Sequence, residues 1–234
     1  MNKWLRIAHE WLLPRHCLLC LGPAQSINLC KGCRAALPRL ENPCEGCATP
    51  LVIGPRCARC LKRPPPFYQV RIPYLYADPL AGLIQALKYR HRLAAAAVLG
   101  SLLAEYLETH GFAAPQCIVP VPLHPERQRQ RGFNQSLEIA RALSARLAVP
   151  IAAEFARRNR ATAAQASLQS ARERRQNVRG AFSVNEKNSG SVRHVAIIDD
   201  VVTTGATVIA LAGTLRSAGV KHIELWSIAR ARDP

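Results

Sequence analysis

Hydrophobic positions fall into long regular patterns only after Pro64-Pro65-Pro66; before it they occur in short clusters broken by cysteines and basic residues. Beyond the prolines, VRIPYLY (70–76) reads as a short strand, with Pro73 arguing for an edge or a bulge. Leu80, Leu83, Ile84 and Leu87 recur at i, i+3, i+4, i+7 and predict an amphipathic helix that ends in Lys88-Tyr89-Arg90-His91-Arg92. Val98, Leu102 and Tyr106 share one face of a second helix over 93–109, with Gly111 just past its end. CIVPVP (117–122) is the next strand candidate, and LHPERQRQRGFNQS after it reads as a basic loop. Leu137, Ala140, Leu143 and Leu147 then mark a helix over 135–147, capped by Asn134. VPIAAEFA (149–156) is a weaker strand, whereas HVAIID (194–199) and HIELWSIA (222–229) are strong ones, with Trp226 expected in the core. A helix over 206–218, ended by Gly219, lies between those two. Strands alternating with helices imply a parallel sheet wrapped by helices, whose ligands bind beyond the carboxyl ends of the strands.

Two stretches fall outside this pattern. At the start, Trp4, Leu5, Ala8, Trp11 and Leu12 have helix-face spacing, but Lys3, Arg6, His9 and Glu10 interrupt any apolar run, so a short amphipathic helix is expected there. A signal peptide or membrane span is not. A cytoplasmic protein without a transmembrane segment is the resulting expectation. The second stretch, 157–179, holds seven arginines, one acid and few large apolar residues, the composition of a functional or mobile segment such as a lid.

Charge narrows the partners. With 49% hydrophobic residues the chain has ample material for a core, yet 32 Lys+Arg stand against 15 Asp+Glu, a net charge of +17. The surplus is shared, +7 over residues 1–66 and +10 over the rest, and it is mostly arginine. Phosphorylated ligands or nucleic acid suit such a surface.

Eight of nine cysteines lie before residue 61 and form four CxxC pairs: Cys17 and Cys20, Cys30 and Cys33, Cys44 and Cys47, Cys57 and Cys60. Nine, ten and nine residues separate successive pairs, so the segment reads as two copies of CxxC-x9-CxxC. Facing knuckles of this kind offer four thiolates in a tetrahedral set, the coordination Zn²⁺ accepts. Nothing marks secretion, which disfavours disulfides, and no thioredoxin-like pattern surrounds any pair, which disfavours redox chemistry. Two structural zinc ions are expected. Sequential pairing is the simpler arrangement, and the spacing also admits an interleaved one. Lys31, Arg34, Arg56, Arg59, Lys62 and Arg63 among the knuckles suit a protein or nucleic-acid contact as well. Cys117 has no mate and reads as a small buried hydrophobe. The proline run sets a boundary between a helix and double zinc ribbon at 1–66 and an α/β domain at 67–234.

The chemistry concentrates in VAIIDDVVTTGATV (195–208), where a strand meets two acids, then a threonine-glycine turn, then a helix. Adjacent carboxylates resist burial, so a strand has little structural reason to end on them. The turn aims successive N–H groups and the helix amino terminus at one concavity, which suits a phosphate. Thr203, Thr204 and Thr207 add hydroxyls and Gly205 admits close approach. The spacing and lysine of a Walker loop are absent. Carboxylates before a phosphate cup suit a ribose 5-phosphate, whose hydroxyls donate to the acids.

IIDDVVTTGAT resembles the signature of the type I phosphoribosyltransferases. With the four-knuckle segment, LKYRHR, PVPLHPERQRQRGFNQS and RNRATAAQASLQSARERRQNVRGAF, the whole chain is similar to the ComF/GntX family. That resemblance implies a phosphoribosyltransferase-like fold with a flexible hood, a double zinc ribbon, and a role in DNA utilisation or competence. It implies that Asp199 and Asp200 hold the ribose hydroxyls of phosphoribosyl pyrophosphate. Thr203, Thr204, Gly205, Ala206 and Thr207 would take the 5′-phosphate, with Val201 and Val202 before them also in the binding site, and Pro120, Val121, Pro122 and Leu123 would form the pyrophosphate loop. Lys88, Arg131 and one or more of Arg157, Arg158 and Arg160 would balance the pyrophosphate, with Mg²⁺ accompanying it. Three uses of such a site are compatible with the sequence: a transferase, a sensor of phosphoribosyl pyrophosphate, and an accessory protein that binds single-stranded DNA.

Overall fold

The computed structural model describes residues 15–24, 27–160, 173, 178, 180–185 and 192–232. The expected amino-terminal helix and most of the arginine-rich segment 157–179 lie outside them. Two short helices belong to the cysteine region, α1 (Lys31–Ala35) and α2 (Ala58–Lys62). There follow β1 (Gln69–Arg71), β2 (Tyr74–Leu75), α3 (Leu80–Arg90), α4 (Leu93–His110), β3 (Cys117–Pro120), α5 (Pro125–Arg131), α6 (Gln135–Leu147), β4 (Ala156–Arg158), β5 (Phe182–Val184), β6 (His194–Val202), α7 (Ala206–Ser217) and β7 (His222–Arg230).

Five strands form a parallel sheet in the order β1, β7, β6, β3, with β2 continuing the β1 edge alongside β7. Pro73 breaks the edge into two, as its missing N–H requires. Side chains alternate across β6 and β7, and the two faces build two cores. Ala196, Ile198, Trp226 and Ile228 pack with α3, α4 and α6, whereas Val195, Ile197, Ile223 and Leu225 pack with α7. Burial on both faces explains why these strands read as nearly unbroken apolar runs.

Three expectations need correction. The basic stretch after β3 is not a loop: Pro125–Arg131 is helical, with His124 as N-cap, Pro125 in the first turn and Gly132 closing it at φ 77°. Within 149–156 only Ile151 bridges the sheet, next to Ile118. The strand in that region starts at Ala156 and pairs antiparallel with β5 in a separate two-stranded sheet. Finally, β6 does not stop at the aspartates but runs through them to Val202.

The cysteine region is built onto the α/β part. Cys17, Leu29 and Leu37 share a core with Leu80, Leu103 and Trp226, and Ala48 shares the other with Ile72 and Leu225. The segment between the cysteine clusters runs along β2, with Leu40 N–H donating to Pro73 O (2.9 Å) and Leu75 N–H to Pro38 O (2.8 Å). It thereby covers a sheet edge that would otherwise expose unpaired backbone groups. Among the described residues no helix is long and apolar enough to cross a membrane.

Candidate functional site

A cavity of about 320 Å³ opens at the carboxyl end of β6. Its position follows from where the neighbouring strand stops. β3 pairs with β6 only as far as Pro120 opposite Ile198, and the prolines at 120 and 122 turn the chain away. Past Ile198, β6 keeps β7 on one side, with Asp199 opposite Ser227, and loses its neighbour on the other. Both acids line the cavity at this point.

The two aspartates are held differently. Asp200 is 3% exposed and forms an ion pair with Lys88, which the last turn of α3 delivers to the cavity. Its charge keeps the Lys88 ammonium above the ordinary range although burial pulls the other way. Asp199 accepts a hydrogen bond from the Ser136 hydroxyl (3.1 Å) in the first turn of α6. Burial, and then the neighbouring Asp200 charge, push the Asp199 carboxyl up to about 8. Asn134 fixes the start of α6. Its Oδ1 accepts from the Ser136 and Leu137 N–H groups (3.0 and 3.4 Å), and its amide donates to Val121 O (3.0 Å). One cap thus locks the loop after β3 to the helix that supports Asp199.

Thr203, Thr204 and Gly205 follow the acids and lead into α7, with Gly205 as N-cap at φ 76°, a backbone state that favours glycine. All residues from Asp199 to Val208 line the cavity. The cation side comes from Lys88, Arg127, Arg131 and Arg158. Arg127 and Arg131 lie one turn apart on α5, so the helix missed by pattern reading presents both to the same space. Arg131 donates to Gln135 Oε1 (2.7 Å) and lies over the Tyr89 ring at 5.8 Å. Arg158 is 7% exposed and lies over the Phe182 ring; burial lowers its pKa, and the Arg127 charge adds to that.

The expected residues thus separate into groups. Val121 and Leu123 line this cavity together with Lys88 and Arg131. Pro120 and Pro122 line an adjoining one of about 470 Å³, which shares Leu123 and Arg158 with the first. Of the three candidate arginines near 160, Arg158 reaches the main cavity, whereas Arg157 is exposed and pairs with Glu154. Tyr76, Tyr89 and Gln135 line it without a role expected from the sequence, and of the basic trio Arg127, Arg129 and Arg131 beside the phosphate site, Arg127 and Arg131 line it. Arg127 was legible as a partner of Arg131 at i, i+4 once α5 is read as a helix; Tyr76 arrives through the sheet edge and left no local signal.

The cysteines resolve into two sets in sequential pairing, Cys17, Cys20, Cys30 and Cys33, then Cys44, Cys47, Cys57 and Cys60, with ligand atoms within 4.8 Å of one another in each. The Cys20 and Cys30 sulfurs are 3.7 Å apart and those of Cys47 and Cys57 3.8 Å. A tetrahedral zinc with four thiolates at its usual bond length has an edge of about 3.8 Å, so both sets fit Zn²⁺. The Cys33 N–H donates to the Cys30 sulfur within one knuckle (3.4 Å), and the Cys57 N–H donates to the Cys44 sulfur across the two knuckles of the second set (3.3 Å). Among the described residues no other group of three or more metal-ligating side chains lies within such reach.

A double zinc ribbon domain matches residues 8–61 and a phosphoribosyl transferase domain residues 134–233. The DNA utilization protein YhgH of Escherichia coli is 37% identical over 225 residues, covering 93% of this chain and 98% of that protein. Competence protein F of Haemophilus influenzae is 35% identical over 223 residues, covering 92% and 96%. Among solved structures, a glutamine phosphoribosylpyrophosphate amidotransferase from B. subtilis, complexed with ADP and GMP, superposes loosely, with a TM-score of 0.37, 21% identity, and 56% of this chain covered against 25% of that one.

Proposed function

The chain belongs to the ComF/GntX family of competence and DNA-utilisation proteins, in which a double zinc ribbon precedes a phosphoribosyl transferase domain, and from that premise we propose that it binds phosphoribosyl pyrophosphate in the service of DNA utilisation. The observation that carries the reading is the acid pair where β6 has lost β3 but keeps β7, continuous with a threonine-glycine turn at a helix amino terminus and faced by four cationic side chains. In this reading Asp199 and Asp200 accept from the ribose hydroxyls. The N–H groups and hydroxyls from Thr203 to Thr207 take the 5′-phosphate, and Lys88, Arg127, Arg131 and Arg158 balance the pyrophosphate. Mg²⁺ enters as part of the ligand, held by its own oxygens. Fixed charges around a departing pyrophosphate are what phosphoribosyl transfer requires of a protein.

Calorimetry with the Mg²⁺ complex of phosphoribosyl pyrophosphate tests the binding. The full chain should bind it, and an Asp199→Asn/Asp200→Asn variant should lose at least tenfold in affinity, about 1.4 kcal/mol. Equal binding by both proteins would remove the acid pair from the site, and no binding by either would remove the reading.

A second reading concerns a partner. The +17 charge, spread over both parts of the chain, and relatives named for DNA utilisation and competence support single-stranded DNA as that partner. Each phosphate neutralised releases counterions, so oligonucleotide affinity should fall by orders of magnitude between about 50 and 200 mM salt. A flat salt response would exclude a phosphate-led contact. Four-cysteine clusters need reduced thiols, which favours the cytoplasm as the working compartment.

A further inference from the structure

Arg230, the last residue of β7, is only 1% exposed although it carries a permanent charge. Burying a guanidinium is costly unless its donors are satisfied, and the groups that satisfy it come from two distant places. Nε donates to Cys47 O (3.1 Å) and Nη2 to the Thr49 hydroxyl (2.9 Å), both in the second cysteine cluster. Nη1 donates to Val202 O (3.3 Å) and to Ala231 O. Val202 and Ala231 line the cavity, and Val202 is the residue from which the threonine-glycine turn departs. A third lining residue, Tyr76, donates its N–H to Arg230 O (2.9 Å).

The chain of contacts ends on a sulfur. Thr49 Oγ1 lies 3.3 Å from Cys47 Sγ. A hydroxyl that accepts from a guanidinium keeps its own proton to donate, and a metal-bound thiolate is an acceptor. The guanidinium, the Thr49 hydroxyl and the Cys47 sulfur therefore form one polar path from the phosphate turn to the second cluster. The first cluster is tied elsewhere, through the ion pair of Arg34 with Glu105 on α4.

We infer that Arg230 is a positioning residue that couples the second zinc site to the phosphate turn, so that metal held by Cys44, Cys47, Cys57 and Cys60 sets the ligand affinity of the cavity. The inference rests on the ligand reading above. Because coupling between two binding equilibria is reciprocal, the ligand must tighten zinc at that cluster by the factor by which zinc tightens the ligand.

The test uses the full chain with two zinc ions bound. Zinc affinity is measured by equilibrium competition with a chelator of known strength, with and without saturating phosphoribosyl pyrophosphate and Mg²⁺. The ligand should tighten one of the two zinc equivalents by about tenfold, within the usual range of such couplings, and leave the other unchanged. Thr49→Val, nearly the same shape without the hydroxyl, should abolish that tightening and weaken the ligand, and Arg230→Lys should keep part of both. Melting curves check that each variant is folded; Thr49→Val carries the test if the buried Arg230 position tolerates no change. Ligand binding and coupling both intact in Thr49→Val would overturn the inference and spare the site. Ligand that binds wild type and tightens neither zinc, or both equally, would also overturn it. No ligand binding to wild type would remove the reading and the inference together.

Discussion

Asp199 is subject to opposing demands. Its surroundings favour the neutral acid, with the carboxyl pushed up from 3.8 to about 8 by burial and the adjacent Asp200 charge, while a ribose hydroxyl is better accepted by the ionised form. The sign follows from linkage. Between those two values the folded state holds a proton that the unfolded chain has released, so this residue makes stability fall as pH rises through that window. Asp199→Asn should flatten this part of the pH dependence in urea melts at pH 5, 7 and 9. Ligand binding should have the opposite trend, strengthening as pH rises toward 8 and levelling off above it. At pH 7 binding should release about one proton, read from calorimetry in buffers of different ionisation enthalpy; release of none would mean that Asp199 stays protonated in the complex. Ser136 supplies a hydrogen bond that orients the carboxyl group, and nothing local in the sequence marks that serine apart from its place behind the Asn134 cap.

Helices were legible where an apolar stripe existed and illegible where none did. α6 is found at its expected residues because four apolar positions repeat at helical spacing and Asn134 announces the start. α5, PERQRQR, has no apolar residue, so periodicity is silent; only Pro125 at its start and Gly132 past its end carried the signal. The β4–β5 pair was hidden for a different reason, since its partners are more than twenty residues apart and strand pairing over such distance leaves no local pattern. Glu224 was hidden by its neighbours. An acid within a strand reads as solvent-facing, yet it is fully buried, accepting from Trp226 Nε1 (2.8 Å) and lying 3.0 Å from His194 Nε2. Gly100 was equally silent, a helical glycine inside α4. A Cβ there would fall 2.5 Å from Ala142 Cβ and 2.9 Å from Ile139 O, so it sets how closely α4 crosses α6. Gly100→Ala should therefore destabilise by about 1–3 kcal/mol, although intrinsic helix propensity favours alanine by about 1. Ala142→Gly in the same chain should recover part of the loss. A more stable single variant in urea unfolding would show that the crossing has slack.

At the scale of the molecule, the proline run that separates two compositions does not separate two cores. Leu29 and Leu37 of the cysteine region lie in the same buried cluster as Leu80 and Trp226, and the segment between the cysteine clusters serves as the cover of the β2 edge. Arg34, Glu105, Arg146 and Glu108 extend the join across α1, α4 and α6 as one surface ion network. A segment this short and cysteine-rich is expected to depend on its metal for folding. Its loss would uncover an apolar face and an unpaired strand edge on the α/β part. Removing zinc should then loosen the whole chain rather than strip off an appendage. Hydrogen exchange measures this directly: after chelation, amides of β7 and α3 should exchange faster along with those of residues 27–62, at a rate that returns to normal when zinc is restored. Fast exchange confined to the cysteine region, with β7 still protected, would show that the α/β part closes its core alone and that the ribbons only lean against it.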